Sequence, residues 1–85
     1  MTEPERRTLE AERLRERIAV LEADRSGLMA SIRHMRRGRL DQSFLTDSLR
    51  AELARTSSYG VLLETIEVEI RCLRRCLTAL EQQGS

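Results

Sequence analysis

Tyr59–Leu80, YGVLLETIEVEIRCLRRCLTAL, is the stretch on which the fold turns. Leu63, Ile66, Ile70, Leu73, Leu77 and Leu80 recur in alternating steps of three and four. That spacing is a heptad seam, with the six residues at a and d positions of one helix face. Leu62 and Cys76 sit beside the seam and widen it. Val61, Val68 and Cys72 are read as extending the apolar surface further round the same side. A two-helix seam needs only its a and d residues. The surplus predicts a helix that packs on another protein, with Leu62, Leu63, Ile66, Ile70, Leu73, Leu77 and Leu80 as the partner-binding residues.

Upstream of the seam, Leu45, Leu49 and Leu53 point the same helix inward. Thr56-Ser57-Ser58-Tyr59-Gly60 interrupts them with residues of poor helix propensity. The heptad frame nevertheless runs back through this stretch, from Leu63 to Thr56 and Leu49. A helix over about 41–82 is therefore expected, with a break at 56–60 and a three-helix bundle as the alternative. Arg36-Arg37-Gly38-Arg39 ends the preceding helix: basic residues suit a helix C-terminus and Gly38 suits a left-handed cap. A turn at 38–40 follows, with Asp41 or Ser43 capping the next helix and Leu40 stapling back onto Leu45. The first helix is expected over about 4–37. Thr2 caps it, Pro4 sits where its missing N–H costs nothing, and Glu3 and Glu5 suit the helix dipole. Its stripe is Leu14, Ile18, Leu21, Leu28, Ile32 and Met35, with Arg25 on an a position. Gly27 reads as an interior cost of about 1 kcal/mol. Residues 82–85 read as a frayed tail with a stop at Gly84. The fold class is all-α: one domain over 1–85, an antiparallel helical hairpin or coiled coil of two long helices.

Composition agrees with that class. The 85 residues are 34 % charged and 40 % hydrophobic, and the only aromatics are Phe44 and Tyr59. Such a mixture belongs to long helices rather than to a compact core built on large rings. The net charge is +1, which gives no overall pull toward nucleic acid or anionic lipid. All 15 basic residues are Arg. Met1–Ala11 is polar and charged, unlike a signal peptide, and no apolar run of about 18 residues occurs to span a membrane. A cytoplasmic protein, with its two cysteines as thiols, is the expectation.

No motif for catalysis emerges. Cys72 and Cys76 are four apart on one helix face, but no second Cys or His pair accompanies them, so they are expected to pack as buried thiols rather than bind zinc. His34-Met35-Arg36-Arg37-Gly38 resembles the His-x-Leu-Lys-Gly motif of histidine phosphotransfer domains. Arg36 stands where that motif has Leu, and His34 is expected as a solvent-facing residue near a helix C-terminus. Arg33, Arg36, Arg37 and Arg39 form a basic patch without interleaved aromatics, which offers no stacking platform for single strands. There is no Ser/His/Asp set and no Gly-rich phosphate loop. Glu10 with Arg13, Glu12 with Arg15, Arg13 with Glu16 and Glu67 with Arg71 are spaced as helical ion pairs. No enzyme, cofactor or metal is expected.

Met35-Arg36-Arg37-Gly38 followed by Asp41-Gln42-Ser43-Phe44-Leu45 resembles the turn and second-helix start of the small needle-subunit co-chaperones of type III secretion. The resemblance covers roughly Leu14–Leu63, and this chain runs on through Leu80. It implies a helical hairpin in the bacterial cytoplasm that joins a larger tetratricopeptide-like chaperone and holds the needle subunit soluble. It implies no catalytic residue. Two functions follow as expectations: a co-chaperone or adaptor whose apolar face is completed by a partner, or a self-associating coiled coil in which two hairpins form a four-helix bundle.

Overall fold

The first helix, α1 (Glu3–Arg36), opens on a reciprocal cap: the Thr2 hydroxyl accepts from the Glu5 N–H while the Glu5 carboxylate accepts from the Thr2 N–H. It closes on Gly38 at φ 80°, where the Arg39 N–H reaches the His34 carbonyl and the Gly38 N–H reaches that of Met35. Those two bonds satisfy carbonyls that the helix end would otherwise strand. The structure, a computed structural model, describes residues 2–83; the stop expected at Gly84 lies outside them. Two further helices follow, α2 (Asp47–Thr56) and α3 (Tyr59–Gln83).

The connection after α1 is longer than the expected turn at 38–40. Residues 37–46 are non-helical. Asp41 does not cap a helix, because its carboxylate accepts from the Ser43 N–H two residues on, at 2.9 Å, and holds a turn. Thr46 caps instead, accepting from the Leu49 N–H at 3.1 Å. Leu40 does not staple onto Leu45: Leu40 is 79 % exposed, while Leu45 is buried with the core. The helix expected over 41–82 is therefore two helices. The break lies at Ser57–Ser58, inside the weak stretch. Ser57 sits in the left-handed region at φ 55° and ends α2, its N–H on the Leu53 carbonyl. The Ser58 hydroxyl then accepts from the Val61 N–H and starts α3.

The long helices α1 and α3 pack against each other as a hairpin, and among the described residues there is no strand. The molecule measures 53 × 19 × 19 Å. α2 folds back against α3 near the turn. The core is Leu21, Leu28, Leu45, Leu49, Leu53, Leu62, Ile66 and Ile70, with Tyr59, Leu63 and Leu73 half-buried against it. It gathers toward the turn end, where three helices meet. Ser31 is fully buried there, its hydroxyl donating to the Asp41 carbonyl at 2.8 Å. Ion pairs between the long helices join Arg15 to Glu81, Arg17 to Glu69 and Arg74 to Glu22. The remaining pairs lie within a turn: Arg6–Glu3, Arg50–Asp47 and Arg55–Glu52. None of the pairs expected from helical spacing is among them; Arg15, expected to pair with Glu12, reaches across to Glu81 of α3 instead. Exposed pairs of this kind contribute about 0–1 kcal/mol each and serve mainly to set register.

Candidate interaction surface

The two ends of the hairpin are unequally finished. α2 is 10 residues long, about 15 Å at the helical rise. It covers only the part of a 53 Å molecule that adjoins the turn. There Leu62, Ile66 and Ile70 are 4 %, 5 % and 1 % exposed. The spacing predicts these three as partner-binding, and in the single chain they are already buried. They are enclosed by the chain itself, because the leucines of α2 fold onto them. Leu63 and Leu73 are half-buried against the same core. Leu77 and Leu80 are half-buried as well, but beyond the reach of α2.

At the far end only α1 and α3 are present. A shallow groove lies between them, with Pro4, Thr8, Ala11 and Leu80 along it and Arg7, Arg15 and Glu81 at its rim. Ala11 is buried against the neighbouring helix, and Leu14 is half-buried. Arg7 donates to the Gln83 carbonyl at 2.8 Å, which places a positive charge on the last turn of α3. Its Nε is buried without a partner. The α1 side of this groove was not singled out from sequence. Pro4, Arg7 and Thr8 precede any apolar stripe, and only the antiparallel pairing of the first turns with Leu80 brings them into it.

α3 carries a second apolar face. Val61, Thr65, Val68, Cys72, Cys76 and Ala79 are all exposed. At 3.6 residues per turn they centre about 130° round the helix from the buried seam. Val61, Val68 and Cys72 therefore do not widen that seam, as their apolar character suggested. Nor do Cys72 and Cys76 pack as buried thiols: they lie on the side of α3 turned away from α1.

Other features of the sequence resolve locally. The His34 ring lies on Phe44, with centroids 4.9 Å apart, so His34 is half-buried rather than facing solvent, and its Nδ1 has no partner. Arg33, Arg36, Arg37 and Arg39 are exposed, and none forms an ion pair among the described residues. In the cleft where α1, α2 and α3 meet, burial pushes the Asp24 carboxyl above its ordinary value, and the Arg17 guanidinium opposes part of that shift. Hydrogen bonds from Ser43 hold Asp41 below the ordinary carboxylate value. Among the described residues no group of three His, Cys, Asp or Glu side chains is placed to hold a metal ion, and no helix is long and apolar enough to cross a membrane. No protein-family model, curated protein or solved structure matches the chain.

Proposed function

We propose that the chain is a helical interaction module whose open, two-helix end is completed by another protein. The observation that carries this reading is the contrast between the two ends. Where α2 adds a third helix, Leu62, Ile66 and Ile70 are enclosed. Where no third helix lies, Leu14, Leu77 and Leu80 are only partly buried, and Leu80 lines a groove. An amphipathic helix of the partner laid along that groove would extend the layer that α2 begins. The charged rim of Arg7, Arg15 and Glu81 would then orient it. A co-chaperone of the bacterial cytoplasm, acting on a secretion needle subunit, is the narrower form of this reading. It is supported by the turn at Met35–Gly38 alone, since residues 41–45 are loop rather than the start of a helix.

The test compares the wild type with Leu77→Glu/Leu80→Glu, each used to capture partners from the native host's cytoplasm. Both positions are partly exposed and lie outside the buried core, and helical circular dichroism matching the wild type is the control that the variant is folded before capture is compared. The wild type should retain a protein in near-equal amount that the folded variant loses. Equal retention by both chains, or none by the wild type, would contradict the assignment.

A further inference from the structure

The outer face of α3 is separate from the groove, so either reading can fail and leave the other standing. Along one flank of this face run four charges that form no ion pair among the described residues: Glu64, Glu67, Arg71 and Arg75. Their order matters. Both acids precede both bases, so the flank is negative toward the start of α3 and positive toward its end. Glu69 and Arg74, the other two charges in that run, are already paired to α1. A surface with this polarity repels a parallel copy of itself, because each charge then lies level with its own kind. It attracts an antiparallel copy.

We propose that this face pairs with the same face of a second copy of the chain, antiparallel, with Val68 of one copy opposite Cys72 of the other. The apolar residues and the charges select registers that agree to within two residues. With Val68 against Cys72, Val61 lies against Ala79, and Thr65 lies level with Arg75, one residue from Cys76. A two-fold axis perpendicular to the plane of the two helices brings like flanks together. Glu64 then lies nearly level with Arg75 of the second copy on the shared flank, a pairing that occurs twice, while Glu67 and Arg71, about 140° and 100° round α3 from the centre of the face, add their charges at the outer edge of that flank. The seam residues are small, which lets two helices approach closely. Val61 and Val68, 53 % and 44 % exposed in the single chain, would be enclosed. The cover provided by α2 lies on the other flank, beside Leu62, Thr65 and Glu69, and leaves the charged flank open.

The experiment is light scattering across a concentration series. The wild-type mass should rise from 9.8 kDa to twice that value. Glu64→Arg/Glu67→Arg makes the flank wholly basic and Arg71→Glu/Arg75→Glu makes it wholly acidic. Each alone should associate at least about tenfold more weakly than the wild type, and a one-to-one mixture of the two should recover the doubled mass. The four positions are exposed, and recovery on mixing shows that both variants are folded. Orientation is read in a Val68→Cys/Cys76→Ser chain after mild oxidation. A cross-link between position 68 of one copy and Cys72 of the other supports antiparallel pairing, while 68-to-68 and 72-to-72 links overturn it. A wild type that stays at 9.8 kDa throughout, charge variants that dimerise alone as well as the wild type, or a mixture that does not recover overturns the proposal.

Discussion

Gly27 illustrates how much a single position in α1 depends on a distant loop. Read along the chain it is only a helix-weakening residue. In the folded molecule a Cβ at this position would lie 2.5 Å from the Phe44 carbonyl oxygen, closer than a carbon and an oxygen can approach. The obstacle is backbone, so it cannot rotate away. It is tied in place by the neighbouring burial of Leu45 and by the bond from the Ser31 hydroxyl to the Asp41 carbonyl. Two effects oppose each other in Gly27→Ala. Helix propensity favours Ala by about 1 kcal/mol. Forcing the loop outward costs about 1–3 kcal/mol. The net expectation is a loss of about 1 kcal/mol, seen as a lower urea midpoint at unchanged slope. A gain in stability would show that the loop does not rest on α1. Neither Gly27 nor Ser31 could be interpreted from sequence, because the atoms that give them meaning belong to Asp41 and Phe44, at least ten residues away.

Among the elements, α2 is the one that propensity leaves weakest and packing makes most necessary. Ten residues are too few for an isolated helix to persist in water. It holds because Thr46 caps it and because Leu49 and Leu53, 4 % and 7 % exposed, join the core. Its end is strained in one place. Ser57 occupies a left-handed conformation that glycine adopts without the clash its Cβ suffers. Ser57→Gly should therefore stabilise the chain by about 0.5 kcal/mol, after the extra freedom of glycine in the unfolded chain is counted. An unchanged or lower midpoint would mean the junction is unstrained. The seam of α3 was legible because its six residues keep heptad spacing, and the Thr2 and Gly38 caps were legible because they use local chemistry. The break at Ser57–Ser58 was visible only as a weak stretch. The heptad frame runs through it from Leu63 to Thr56 and Leu49, and the one sign in the frame against a continuous helix was that Glu52 falls on a d position while Leu53, which joins the core, lies one place off. The second face of α3 was legible in principle: in the heptad frame of Leu63 and Ile66, Val61 and Val68 take f positions and Cys72 a c position, opposite the seam, but valine and cysteine suit a core and that character masks their phase.

At the scale of the whole molecule, the account rests on the difference between a closed end and an open one. The turn end has three helices around Leu28 and Ile70, both essentially inaccessible to water. The far end has two helices, joined by Arg7, Arg15 and Glu81 at the surface and by leucines that are only partly buried. Local stability follows burial, so the two ends of the same long helices should open at different rates. Amide hydrogen exchange on the isolated chain measures this directly. The account predicts that residues 21–31 of α1 and 62–70 of α3 exchange slowest. Residues 5–14 and 77–83 should exchange on the order of a hundredfold faster, and should slow when a bound protein occupies the groove. Uniform protection along both long helices would contradict it, because the two-helix end would then need nothing to complete it.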